Sequence, residues 1–202
     1  MLAVPALVAI IYGESCVWSF LITMAIAFAL GFALTLLLKP TSQVFYSREG
    51  LIIVALAWLS LSLIGALPYV ISGEIPHYID AFFETVSGFT TTGSSILTDV
   101  EKLSRGMLFW RSFAQWLGGM GVLVFVMAIT AKTPDRSMHI LRAEMPGPTV
   151  DKLVPRSKDT AKILYVIYVV MTGVLVIMLL AGGMPLFDSL LHAFGTAGTG
   201  GL

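Results

Sequence analysis

Charge and cysteine are both scarce in this sequence. Charged residues occupy 12% of its 202 positions, against about 25% in soluble domains, while 57% of positions are hydrophobic. A globule of this composition would have too little polar surface to cover itself in water. The single cysteine, Cys16, excludes a disulfide framework within the chain and is interpreted as a small apolar filler at a helix start rather than a reactive thiol. The composition predicts an integral membrane protein.

An excess of either charge is also missing. Twelve basic and twelve acidic side chains balance, which argues against nucleic acid as a partner. The sequence contains no spacing of metal ligands, no nucleophile constellation and no phosphate-binding loop. The Gly118-Gly119-Met120-Gly121 run does not follow a strand and is therefore no dinucleotide fingerprint. We expect a protein that is not an enzyme and has no covalent cofactor and no metal of its own.

Long apolar runs, by contrast, are plentiful. Four of them, residues 17–38, 51–71, 107–131 and 163–181, are long enough at about 1.5 Å per residue to cross a hydrocarbon core of about 30 Å. Residues 1–12 are apolar but too short to cross, and they lack the basic start of a signal peptide. We interpret them as the end of a helix whose beginning is missing. The sequence predicts an all-α, multi-pass membrane protein.

Lysine and arginine are unevenly distributed between the connecting segments. Residues 39–50 and 132–162 together hold nine of the twelve basic side chains. Because short segments rich in lysine and arginine stay in the cytoplasm, both are predicted to be cytoplasmic loops. The connections around Glu14, over residues 72–105 and from Gly182 onward are then predicted to face outward.

Between the second and third apolar runs lies a shorter one, residues 78–88, of the length expected for a re-entrant segment. Both flanking helices have an end in the cytoplasm, so this segment must enter and leave on the outside. A Gly/Thr-rich tract, residues 90–95, follows it, and such backbone is tolerated at membrane depth only when it is buried in protein or lines water. The C-terminus of a half-crossing helix also points the negative end of its dipole into the membrane, where it favours a cation.

The same pattern is repeated later in the chain. An offset of 108 residues aligns a second half-helix pattern and a second Gly/Thr tract, residues 196–201, with the first. The alignment is soft by one residue, because the prolines that precede the two patterns differ in spacing by one position. Either Gly200 or Gly201 is therefore the counterpart of Gly93, and we favour Gly201.

Three motifs stand out in and around these tracts. They are Ser87-Gly88-Phe89-Thr90-Thr91-Thr92-Gly93, Gln115-Trp116-Leu117-Gly118-Gly119-Met120-Gly121, and the run from Phe187-Asp188 to Thr199-Gly200-Gly201. Together they resemble the TrkH/Ktr/HKT superfamily of potassium transporters, most closely its bacterial TrkH branch, over essentially the whole chain. The resemblance implies four linked helix–pore loop–helix repeats with re-entrant half-helices, one filter strand for each repeat, and an extra helical hairpin in front.

On this resemblance the chain divides into four parts. Residues 1–38 look like the N-terminal hairpin with its first helix incomplete, 51–131 like the first repeat, 132–162 like a cytoplasmic basic loop, and 163–202 like the first half of the second repeat, ending in its filter. The chain is then truncated after the second pore loop. Because a filter of this kind needs four carbonyl-bearing strands, it looks like a fragment of a transporter.

The resemblance places the selectivity filter on the two Gly/Thr tracts, where backbone carbonyls would replace the hydration shell of a potassium ion. The residues concerned are Thr90, Thr91, Thr92 and Gly93 in the first tract and Gly198, Thr199, Gly200 and Gly201 in the second. The alternative is an ordinary turn outside the membrane, but the half-helix before each tract and the repeat favour the filter. Gly118, Gly119 and Gly121 are interpreted as surfaces for close helix packing.

Four charged side chains near the tracts are assigned supporting roles. Arg111, the only cation within an apolar run, is expected either to snorkel to the outer interface or to lie at the mouth of the pore. Glu84 would be costly against lipid and is expected to face protein or water and to support the filter. Asp80 and Asp188 begin the two half-helices and are interpreted as N-caps.

The function implied by the resemblance is potassium uptake across a bacterial inner membrane, with potassium as the transported ligand and membrane lipid around the helices. Channel and symport are both left open. The resemblance also implies a homodimer and a cytosolic nucleotide-binding regulatory subunit, for which residues 132–162 offer either a docking surface or only an ordinary topology-setting loop. Two other functions stay open: a non-conducting assembly piece that pairs with complementary chains, and a broken-helix secondary carrier, for which we find no substrate-binding side chains.

Overall fold

The computed structural model describes residues 1–37, 47–130 and 157–200, and all regular structure in these ranges is helical, which confirms the all-α prediction. A short 3₁₀ turn, Val100–Lys102, lies between the fifth and sixth helices. The α-helices are α1 (Ala3–Ile11), α2 (Val17–Leu37), α3 (Ser47–Gly65), α4 (Leu67–Ser72), α5 (Tyr78–Phe89), α6 (Arg105–Thr130), α7 (Ser157–Ala181) and α8 (Leu186–Ala197).

Three stretches of helix in the described ranges are long and apolar enough to cross a membrane: Val17–Leu37, Ile52–Ser72 and Lys162–Ala181. The second is built from α3 and α4, which meet at Ala66. Pro68 explains the interruption, because it lacks the N–H that would continue the ladder and is tolerated only in the first turn of a helix. The third predicted span, residues 107–131, corresponds to α6, whose 26 residues cover about 39 Å.

The helices extend into both predicted cytoplasmic loops. Helix α3 begins at Ser47 and α7 at Ser157, so the last residues of each segment that we predicted to be a loop are helical. Most of residues 132–162, including the proposed docking surface for a regulatory subunit, lies outside the described residues. The outward faces of α2 and α7 are apolar and open: Phe28 is 78% exposed and Met178 66%. Such faces require lipid as their solvent.

Two carboxylates hold the start of α6 by hydrogen bonds, one from the N-terminal hairpin and one from the connection between α4 and α5. Glu14, in the turn between α1 and α2, accepts hydrogen bonds from the backbone N–H of Arg105 and of Gly106, both at 2.9 Å. Glu74 accepts bonds from the backbone N–H of Ser104 at 2.8 Å and from its hydroxyl at 2.7 Å. The two glutamates satisfy N–H groups that a helix start leaves unpaired, and their charge complements the positive end of the α6 dipole.

Cys16 lies close to Glu14 in the turn between α1 and α2. It is 4% exposed, which confirms the interpretation of a small apolar filler. Its Sγ is 3.5 Å from a carboxylate oxygen of Glu14. Burial, reinforced by that carboxylate, raises the pKa of the Cys16 thiol above its usual value. The reactive thiolate therefore forms only at higher pH than in a free cysteine.

Cys16 should be alkylated by maleimide at least about tenfold more slowly than a cysteine introduced at Asp99, because both exposure and thiolate fraction are low. Asp99 is a suitable reference since its side chain is 44% exposed in the loop before the 3₁₀ turn. The measurement compares labelling rates in detergent-solubilised protein at pH 7 and pH 9, with full labelling in SDS as the control. Equal rates in the folded protein would show that the hairpin does not cover Cys16.

Candidate functional site

The two half-helices are copies of one another in length and register. Helices α5 and α8 each have 12 residues, and both of their ends are separated by 108 positions. Their N-caps are His77 and Pro185, and neither makes a side-chain capping bond. The interpretation of Asp80 and Asp188 as N-caps was wrong. Each aspartate lies inside the first helical turn, where its charge still complements the helix dipole.

The C-terminal ends of α5 and α8 carry the same hydrogen bonds at the same offset. In each copy one backbone N–H donates to the carbonyl oxygen three residues earlier, and the next N–H donates to the carbonyl oxygen five residues earlier. All four N···O distances are 3.0 Å. These bonds run from Thr91 to Gly88 and Thr92 to Ser87, and from Thr199 to Thr196 and Gly200 to Gly195. The offset of 108 therefore holds through Gly200. Gly201 lies outside the described residues, so its match with Gly93 stays a prediction.

Thr91 and Thr199 occupy the same unusual backbone conformation. Their φ angles are +57° and +58°, and they are the only non-glycine residues with positive φ in the described ranges. A β-branched residue is poorly suited to this left-handed region. Where a helix ends in this conformation, the residue is normally glycine or asparagine. Strain of this kind persists only where the surroundings impose it, and it is concentrated at functional sites. The same strain in both copies marks these turns as candidates for function.

Behind the first turn, the chain returns along its own half-helix and is held by Glu84. The Ser95 hydroxyl lies 3.0 Å from both carboxylate oxygens of Glu84, and the Ile96 N–H donates to one of them at 3.1 Å. Ser87 donates its hydroxyl hydrogen to the carbonyl oxygen of Ser94 at 2.5 Å. Glu84 is 3% exposed and faces protein, as predicted. It fixes the path of the returning loop.

Arg111 on α6 pairs with this glutamate. Its Nε lies 2.6 Å from a Glu84 oxygen, and the two side chains are 13% and 1% exposed. Neither sequence-based expectation for Arg111, snorkelling or a place at the pore mouth, anticipated the pair. A signal was available: Glu84 and Arg111 are oppositely charged side chains in adjacent intramembrane segments, and such charges normally find one another.

The first and second turns touch each other. A Cβ atom built on Gly93 would overlap the carbonyl oxygen of Gly200 and lie 2.8 Å from its carbonyl carbon. Gly93 also has a φ of +74°, which glycine adopts without the steric cost of a side chain. Two independent demands therefore require glycine at position 93: the backbone angle and the approach of the second turn.

The glycines of α6 provide the surface on which both turns rest. A Cβ on Gly118 would overlap the carbonyl oxygen of Phe89, the last residue of α5, and one on Gly119 would lie 3.3 Å from the Cα of Gly198. A Cβ on Gly121 would overlap the Trp58 ring. The prediction that these glycines allow close packing is confirmed. Gly118 packs against the end of α5, Gly119 against Gly198 and the Tyr168 hydroxyl, and Gly121 against Trp58 of α3. The sequence did not indicate these partners.

Aromatic side chains hold the half-helices against different faces of α6. Phe89, 1% exposed, lies between Trp58 and Trp110 with ring centroids 5.8 and 6.0 Å away. Phe194 of α8 instead contacts three rings on the neighbouring face of α6. These are Phe109 at 5.8 Å, Phe113 at 5.8 Å and Trp116 at 5.2 Å. Helix α6 thus brings both C-terminal ends to one place.

The chemistry available there suits a cation. The negative ends of two helix dipoles converge, and backbone carbonyl oxygens of two Gly/Thr turns lie next to them. In selectivity filters, backbone carbonyl oxygens replace the hydration shell of an ion. Helices that cross the membrane, combined with half-helices that end in such turns, define the class of pore-loop ion transport proteins.

The family model for TrkH, a cation transport protein, matches residues 18–202, and the chain belongs to this family. It is 42% identical over 200 residues to the Trk system potassium uptake protein TrkH of Salmonella typhimurium and 36% identical over 199 residues to TrkG of Escherichia coli K12. Each match covers 98% of this chain and 41% of the relative. The chain therefore spans about two fifths of these proteins.

A solved structure gives the same result for the fold. The crystal structure of the potassium transporter TrkH from Vibrio parahaemolyticus matches with a TM-score of 0.74 and 32% sequence identity. The match covers 96% of this chain and 38% of that structure. This chain is accordingly a multi-pass membrane protein with the fold of the N-terminal part of a TrkH protein.

Proposed function

We propose that this chain forms part of a potassium uptake pore in a bacterial inner membrane. The observation that carries the proposal is the contact between the two turns: Gly93 lies against the carbonyl oxygen of Gly200 at the ends of two half-helices. The relatives are Trk system potassium uptake proteins, which supports potassium as the ion.

The proposed filter uses backbone carbonyls rather than side chains. We assign this role to Thr90, Thr91, Thr92 and Gly93 and to Gly198, Thr199, Gly200 and Gly201. The two turns would supply two of the four strands that a complete potassium filter requires. The buried pair of Glu84 and Arg111 would hold the first strand from behind, without touching the ion.

The remaining assignments rest on the family. We propose the division into a hairpin (1–38), a first repeat (51–131), a cytoplasmic basic loop (132–162) and the front of a second repeat (163–202). A cytosolic nucleotide-binding subunit docked on the basic loop and a homodimer are proposals of the same standing. We also propose that residues 39–50 and 132–162 face the cytoplasm, which their nine basic residues support.

The function is tested by a chimera in which this chain replaces the matching segment of Escherichia coli TrkH. In a bacterium that lacks potassium uptake, the chimera should restore growth at low external potassium. The 202 residues expressed by themselves should not. Half a filter leaves the ion incompletely coordinated and leaves backbone groups without partners, each at a cost of several kcal/mol in hydrocarbon.

Two other outcomes distinguish the alternatives. A chimera that inserts normally but carries no potassium would favour the non-conducting assembly piece. Rescue by the isolated chain, lost on Gly93→Ala, would show that several copies assemble a complete pore. Protein amounts in the membrane are measured by immunoblot in every case, so that poor insertion is not mistaken for lost transport.

A further inference from the structure

Gln115 of α6 lies between the ends of the two half-helices. A Cβ atom on Gly198 would lie 2.8 Å from the carbonyl oxygen of Gln115 and 2.9 Å from its Cγ, and a Cβ on Gly200 would overlap its side-chain amide. On the other side, a Cβ on Gly88 would lie 3.8 Å from the Gln115 backbone nitrogen. The Gln115 side chain therefore fills the space that side chains at positions 198 and 200 would need.

The amide nitrogen of Gln115 is buried and lacks a partner among the described residues. The residue is 5% exposed, and its Nε2 makes no hydrogen bond with any residue that the structure describes. Leaving a buried donor unpaired costs about 1–3 kcal/mol. Retaining an amide there, where an apolar side chain of the same length would avoid the cost, indicates that position 115 has a role besides stability.

The two turns differ at the two positions concerned. In the first turn, the equivalents of Gly198 and Gly200 are Thr90 and Thr92, whose hydroxyl oxygens lie 2.8 Å apart. Thr90 also donates its hydroxyl hydrogen to the carbonyl of Val86 at 2.8 Å. The first turn is thus braced by its own side chains. The second has no side chain at either position, and a side chain from α6 occupies the space.

We propose that Gln115 is a positioning residue of the second pore loop. Its side chain takes the place of the two missing side chains and thereby fixes the path of the loop backbone from Gly198 to Gly200. The last helix of the first repeat thereby controls the filter strand of the second. The effect on ion preference rests on the proposed function, whereas the contact with the loop does not.

The contact is tested by coupling between positions 115 and 200 in the purified chimera. Gly200→Ala should lower the thermal unfolding midpoint, because the added methyl group collides with the amide. In a Gln115→Ala background the same substitution should cause less than about half that drop, since the space is vacant. Equal drops in both backgrounds would overturn the proposal.

The positioning role is tested by Gln115→Ala, which empties the space beside Gly198 and Gly200. Uptake of potassium and sodium is measured at matched protein amounts, and the preference for potassium should fall about tenfold or more. Trp116→Phe is the matched control. It removes a partly buried hydrogen bond one residue along α6, the 3.1 Å bond from Trp116 Nε1 to Thr172, without touching the loop. Its ion preference should stay at the parental value.

The outcomes separate the two proposals. Parental preference in Gln115→Ala, or an equal fall in Trp116→Phe, would overturn the positioning role even if the coupling is present. A parent chimera with no preference for potassium would contradict the proposed function, and the coupling between Gln115 and Gly200 would then decide by itself whether Gln115 holds the loop.

Discussion

Gly93→Ala should reduce the potassium-over-sodium preference of the chimera about tenfold or more, a change worth about 1.4 kcal/mol. The added Cβ would overlap the carbonyl oxygen of Gly200, and the φ of +74° would be held by a residue that disfavours it by about 1–2 kcal/mol. Neither cost can be relieved without moving one of the two turns. Potassium and sodium fluxes at matched protein amounts measure the effect.

Gly173→Ala is the control for this substitution. Gly173 lies in α7, where no described residue outside its own stretch of helix comes within 4 Å of the position of its Cβ, and alanine is the better helix former. It should leave transport unchanged. Gly118→Ala, by contrast, should impair transport as well as stability, because its Cβ would press on the end of α5. Parental ion preference in Gly93→Ala would mean that the tracts are turns and not the filter.

Arg111→Ala should destabilise the protein by about 3–5 kcal/mol, because it leaves the Glu84 carboxylate buried without a counter-charge. Glu84 is 3% exposed and also holds Ser95 and Ile96, so the first pore loop should lose its order and uptake should fall with stability. The thermal unfolding midpoint in detergent is the measurement. The loss should persist at high salt, since buried pairs are screened far less than exposed ones.

The double variant Arg111→Met, Glu84→Gln should be more stable than Arg111→Ala. Removing both charges leaves no uncompensated ion, and the glutamine oxygen still accepts a bond from the returning loop. Lys102→Ala serves as the control, since Lys102 is 80% exposed and its 3.4 Å pair with Asp99 lies on the surface. A stability loss for Arg111→Ala no larger than that for Lys102→Ala would contradict the structural role of the buried pair.

Much of the site was accessible from the sequence because local patterns carry it. The length and apolar content of residues 78–88 predicted a half-helix that the structure places at Tyr78–Phe89. Its copy at Leu186–Ala197 followed from the 108-residue repeat. The prolines before the two half-helices suggested a register shifted by one residue, whereas the helices themselves keep an offset of 108. The spacing differs because Pro185 is itself the N-cap, whereas Pro76 precedes the N-cap His77.

By itself the sequence determined the membrane class, the helical architecture and the two Gly/Thr turns, since composition and periodicity depend only on neighbours along the chain. Tertiary structure alone decided which groups meet: Arg111 with Glu84, Gly118 with the end of α5, and Gly93 with Gly200. These contacts join residues from 27 to over 100 positions apart, through the angle at which α6 crosses both half-helices. That angle results from packing of whole side-chain faces, which no local pattern specifies.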